Sequence, residues 1–130
     1  MVGEETTSIR VLVVSDDPQI IEEARFAFPA EVSVEFVRDS REAKRRLSDP
    51  GCDVVVVDLQ TGSAGGYDLS KDMQYTGDAP SIPLLLLLDR VQDAWLAKQS
   101  GASAYLVKPL DAGELARTVL DLCSAPPPAN

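Results

Sequence analysis

Three runs of this chain are apolar at every position: VLVV at 11–14, VVVV at 54–57 and LLLLL at 84–88. A strand with one face in water alternates apolar and polar residues. A strand that is apolar throughout needs cover on both faces, as in a parallel sheet between two layers of helices. Two further runs have strand length. Val32, Val34 and Phe36 alternate with Ser33 and Glu35, which suits an edge position, and AYLV follows at 104–107. The predicted strands are Arg10–Ser15, Val32–Val37, Asp53–Asp58, Ile82–Leu88 and Ala104–Val107. Between them the apolar residues change to helical spacing, so the chain reads as five βα units around a parallel sheet.

Local chemistry marks the helix starts. Asp17 followed by Pro18 is an N-cap with proline at the first helical position, ahead of an inward stripe of Ile20, Ile21, Ala24 and Phe28. A second helix over Ser40–Leu47 turns Ala43 and Leu47 inward and leaves Arg41, Lys44, Arg45 and Arg46 on the outer face. That basic face could meet an acidic partner, although solvation alone accounts for it. A third helix is expected after Gly66 and a fourth over 91–100. A fifth starts at Asp111, where Glu114 completes a D-x-x-E capping pattern and Leu115, Val119 and Leu122 face inward. Met1–Thr7 and the proline-rich 125–130 read as disordered tails around one domain at 8–124.

Composition excludes several function classes. The 130 residues, 45% of them hydrophobic, suffice for one core. No apolar run approaches the roughly 20 residues that span a bilayer, and MVGEETTSIR lacks the pattern of a secretion signal. A cytoplasmic location without membrane insertion is expected. The chain has no histidine, which removes the commonest general base and any serine or cysteine nucleophile activated by it. Cys52 and Cys123 have no CxxC spacing and read as small buried apolar groups. A net charge of −9 opposes direct nucleic-acid binding, which depends on neutralising phosphates.

Ligand sites of open parallel sheets form beyond the carboxyl ends of the strands. There the sequence places Ser15-Asp16-Asp17, Asp58, Asp89 and Lys108. Two carboxylates about 4 Å apart repel by about 4 kcal/mol at an effective dielectric near 20, so such a cluster favours a cation. Oxygen ligands without histidine or cysteine favour a hard ion such as Mg²⁺. The simpler reading is that Asp17 caps a helix and Asp58 ends a strand.

VLVVSDDP, DVVVVDLQTGSAGG and GASAYLVKPLD, in this order and at these separations, resemble the three signature blocks of response-regulator receiver domains. Asp58 with Gly66 eight residues on, Gly101-Ala102, Tyr105 and Lys108-Pro109 are the most specific elements. The resemblance covers nearly the whole chain. It implies a doubly wound, flavodoxin-like sheet of strand order 2-1-3-4-5, with Asp58 accepting a phosphoryl group from a kinase histidine. It also implies Mg²⁺ on Asp16, Asp58 and the backbone carbonyl of Gln60, with Asp17 a further candidate ligand. Lys108 would contact the phosphoryl oxygens, and the bond before Pro109 would be cis. Phosphoryl transfer needs positioning and cationic stabilisation rather than a separate base. The chain is accordingly expected to be a signalling module and not an enzyme.

This sequence departs from the receiver pattern at several places. Ser15 stands where the first acidic residue is usual. The segment after Asp58 is polar and glycine-rich, with Thr61 and Gly62 in place of an apolar residue and proline. Leu88 occupies the position of a serine or threonine that would hydrogen-bond the phosphoryl group, and Asp89 adds a negative charge beside it. In receivers that hydroxyl moves together with the aromatic at Tyr105. Here Leu88 is expected to pack under Tyr105, and Asp89 to pair with Lys108.

The partners implied are a histidine kinase or phosphotransfer protein and a protein output target. The surface of the fourth helix, fifth strand and fifth helix would serve for contacts or a homodimer. Trp95 on the fourth helix either contributes to that surface or covers its own domain. Two other functions are compatible with the pattern. One is an interaction module that never depends on phosphate. The other is a flavodoxin-like cofactor carrier, although Asp16 and Asp17 would repel a flavin phosphate at the first loop and no glycine-rich nucleotide loop is present there.

Overall fold

The computed structural model describes residues 9–47, 52–58, 82–100 and 102–124. Five parallel strands form one sheet, β1 (Ile9–Val14), β2 (Val32–Val37), β3 (Val54–Asp58), β4 (Leu84–Leu88) and β5 (Ala104–Val107), in the order β2-β1-β3-β4-β5. The helices are α1 (Pro18–Ala27), α2 (Ser40–Leu47), α3 (Ala94–Ser100) and α4 (Ala112–Ser124). The last two are the fourth and fifth helices of the sequence reading. The helix expected after Gly66 lies outside the described residues.

The fully apolar strands divide their side chains between two cores. Val11, Val13, Val54, Val56, Leu85 and Leu87 pack with Ile20 and Ala24 of α1 and Leu115 and Val119 of α4. Leu12, Val14, Val55, Val57, Leu86 and Leu88 pack on the other face with Ala43 of α2 and Ala97 of α3. Alternation along a strand sends neighbours to opposite faces, so unbroken hydrophobicity is what two helical layers require. Each fully buried leucine of β4 contributes about 1.5–3 kcal/mol by leaving water. β2 lies at one edge, with Ser33 and Glu35 exposed and Val34 and Phe36 partly buried.

Several boundaries differ from the sequence reading. β1 starts at Ile9 and stops at Val14, leaving Ser15 in the following loop. β4 begins at Leu84 rather than Ile82. Pro83 has no N–H to give the ladder, although its carbonyl accepts from Val55. Val91–Asp93 forms a 3₁₀ turn ahead of α3. Phe28 falls just beyond α1 and Ile21 is only partly buried. Cys52 and Cys123 are half-buried rather than buried, pack one against each core and form no disulfide. Burial pushes both thiols above their ordinary value.

Side-chain caps fix how α1, α2 and α4 leave the strand ends. The Asp17 carboxylate accepts from the Gln19 N–H at 2.9 Å, and Asp111 accepts from the Glu114 N–H at 2.9 Å. Asp39 does the same for α2 through the Glu42 N–H, a cap that the sequence reading did not assign. No described helix is long and apolar enough to cross a membrane.

Candidate functional site

The order β2-β1-β3-β4-β5 puts β3 between β1 and β4, so the carboxyl ends of these strands deliver their residues to one place. Asp58, the last residue of β3, is 1% exposed. Its register partner is Leu87 on β4. A carboxylate this deep needs polar partners on both oxygens. Lys108 supplies one, with Nζ 2.7 Å from Oδ1. Ser15 supplies the other, its hydroxyl donating to Oδ2 at 2.9 Å.

Ser15 is itself buried, held by a backbone bond from its N–H to the Val37 carbonyl, and its Oγ accepts from the Asp17 N–H at 3.1 Å. Its hydroxyl therefore both donates and accepts. The sequence reading treated Ser15 only as a missing carboxylate. Only the register of β1 against β3, with Val14 opposite Val57, brings this hydroxyl level with Asp58.

Lys108 follows β5, and its N–H donates to the Leu88 carbonyl at 2.8 Å, which ties the lysine to the end of β4. Its ammonium also meets Asp89, 2.9 Å from Oδ1. Burial pushes the Lys108 pKa down, but the hydrogen bonds and charges of Asp58 and Asp89 outweigh it and leave the pKa above the ordinary lysine value. The peptide bond from Lys108 to Pro109 is cis.

The remaining positions are arranged differently from one another. Asp16 is exposed at the same end of the sheet, and Asp17 is engaged in capping α1. Gln60, Thr61, Gly62 and Gly66 lie outside the described residues. Leu88 is fully buried and stands in register with Val107, whereas Tyr105 stands opposite Leu86 and is 39% exposed. Val107 is thus the residue in register with Leu88. Trp95 is 58% exposed, one helical turn after the exposed Val91.

Among the described residues no group of three or more acidic, cysteine or histidine side chains is placed to hold a metal. Asp58 and Asp16 offer hard oxygen donors, which fits the one or two carboxylates with waters that Mg²⁺ uses. They do not form a closed cage of carboxylates, because Ser15 fills one such position and Asp17 is committed to its helix.

The site is thus a buried aspartate at a switch of strand order on a doubly wound sheet, paired with a lysine two strands away. The sequence matches the response regulator receiver domain family over residues 11–120. It is 30% identical to the uncharacterized response regulatory protein Rv3143 of Mycobacterium tuberculosis, across 93% of this chain and 96% of that protein. It is 32% identical to the response regulator MprA of Mycolicibacterium vanbaalenii across 82% of this chain, but spans only 47% of that longer protein. Among solved structures, the chemotaxis response regulator CheY4 of Vibrio cholerae superposes with a TM-score of 0.80 at 25% identity, covering 89% of this chain and 99% of that one. The chain belongs to the response regulator receiver family of two-component signalling. Family membership sets aside the flavin-carrier alternative.

Proposed function

We propose that this chain is an atypical, single-domain receiver that accepts a phosphoryl group on Asp58 and signals through protein contacts. The carrying observation is the Asp58–Lys108 pair at 2.7 Å, at the carboxyl end of a central strand. Coverage of 96% of Rv3143 supports the single-domain reading, and the chain's charge of −9 argues for a protein rather than a nucleic-acid target.

In the transfer, a carboxylate oxygen of Asp58 forms a bond to phosphorus as the bond from phosphorus to the donor breaks. The donor atom leaves with the electron pair, an imidazole nitrogen for a histidine kinase or phosphotransfer protein. Lys108 neutralises charge spreading over the phosphoryl oxygens. Ser15 holds the second carboxylate oxygen in place. Asp58 and Asp16, with the carbonyl of Gln60, would hold Mg²⁺, which when bound offsets the negative charge shared by acceptor and donor. Because the carboxylate charge is consumed in the acyl phosphate, the product adds a net charge of about −0.5 to −1 at the carboxyl end of β3, enough to bias neighbouring loops.

Incubation with acetyl phosphate and Mg²⁺, read by intact mass, tests the assignment. A gain of one phosphoryl group in the wild type, absent from Asp58→Ala, is the expected result. A second reading, docking that never depends on phosphate, is favoured by Leu88 in place of a hydroxyl and by Asp89 on Lys108. No mass gain in the wild type, together with the same proteins retained by wild type and Asp58→Ala, would select it.

A further inference from the structure

Lys108 has two anionic partners and not one. Asp58 holds the ammonium at 2.7 Å from inside the fold, and Asp89 holds it at 2.9 Å from outside. The outer contact is built by the backbone. The Lys108 N–H donates to the Leu88 carbonyl, so Asp89, the next residue of β4's exit, is fixed beside the lysine. The two carboxylates differ in kind: Asp58 is 1% exposed, whereas the Asp89 side chain is 42% exposed and can swing into water. An incoming phosphoryl oxygen needs the same ammonium from the same open side. Leu88, fully buried and without a donor, offers it no alternative partner.

We propose that Asp89 is an internal competitor for Lys108, a carboxylate that an incoming phosphoryl group must displace, and that it thereby sets how readily Asp58 is phosphorylated. This rests on the reading of Asp58 as phosphoacceptor. Because Asp89 is exposed and its pairing screened by water, the effect is modest. Freeing Lys108 is expected to raise the rate about 1.5- to fivefold, the range of an exposed ion pair.

The test is the initial rate of Asp58 phosphorylation by acetyl phosphate with Mg²⁺, followed by intact mass. In that reaction the Asp58 oxygen–phosphorus bond forms as the acetyl oxygen–phosphorus bond breaks and acetate leaves. Asp89→Asn is expected to react faster than the wild type, while Asp89→Glu, which keeps a carboxylate within reach of the lysine, stays near the wild-type rate. Asp93→Asn removes one negative charge from the same segment, where Asp93 pairs with Arg90, and should change little.

Equal rates for wild type and Asp89→Asn would overturn the competitor role while leaving Asp58 a phosphoacceptor. An equal rise in Asp93→Asn would reduce the effect to net charge and also overturn it. Labelling of Asp89→Asn alone would support the competitor role and show that the wild-type site is closed to this donor. Absence of labelling in every variant would overturn both proposals.

Discussion

The Ser15 hydroxyl donates to Asp58 Oδ2 at 2.9 Å, joining two buried residues that are 43 positions apart in the chain. The bond stands where a carboxylate of the receiver pattern would face Asp58 with like charge. A hydrogen bond to a charged group contributes about 1.5–3 kcal/mol. Ser15→Ala is therefore expected to lower unfolding free energy by about that amount in urea denaturation. Ser15→Asp replaces the donor with a second negative charge, and Mg²⁺ should then raise its melting temperature more than it raises that of the wild type. An Mg²⁺ response no larger than the wild type's would mean that position 15 does not limit cation binding.

Removing the lysine should cost more than removing the aspartate's charge. Lys108→Ala leaves a carboxylate that is 1% exposed without its cation, a situation that costs about 3–5 kcal/mol in buried pairs. Asp58→Asn leaves Lys108 with Asp89, which is accessible to water. Denaturant midpoints should fall in the order wild type, Asp58→Asn, Lys108→Ala. The reverse order of the two variants would show that the ion pair does not hold Asp58 in the fold.

The contrast between these residues shows which parts of the molecule were legible in the sequence. VLVV, VVVV and LLLLL announced strands covered on both faces, because burial on two sides leaves no room for polar alternation. Asp17-Pro18 and D-x-x-E at Asp111 announced helix starts, because orphan N–H groups need local acceptors. The pairing of Asp89 with Lys108 followed from opposite charges at adjacent strand ends. The bond from Ser15 to Asp58 was not legible, since a serine carries no charge to declare its partner and only the register of β1 against β3 brings the two together. The place of Tyr105 opposite Leu86 likewise depends on the pairing of β4 with β5, and AYLV carries no polar alternation to indicate it.

The raised pKa of Lys108 gives a defined alkaline signature. Burial alone would lower it, but Asp58 and Asp89 raise it above 10.5. For a lysine raised in the folded state, the stabilising contribution is complete below the unfolded pKa and is lost as pH rises through the folded one. The wild type minus Lys108→Met stability difference should thus be flat from neutrality to about pH 9 and shrink above about 10.4. Subtracting the variant removes the tyrosine and cysteine titrations common to both. A difference that shrinks between pH 7 and 9 would contradict the pairing.

Trp95 decides whether the exposed face of α3 is used by a partner. Its side chain is 58% exposed and Val91 is 64% exposed one turn earlier, while the core on that side is closed by Ala97. An aromatic with this much surface in water contributes little to the fold, so Trp95→Ala should change unfolding free energy by no more than about 0.5 kcal/mol. At interfaces, tryptophan is among the side chains whose truncation costs most, about 2 kcal/mol or more when central. Proteins retained by immobilised wild type should therefore be lost or strongly reduced on Trp95→Ala, with the melting temperature unchanged. Unchanged retention with a stability loss above about 1 kcal/mol would show instead that the ring covers its own domain.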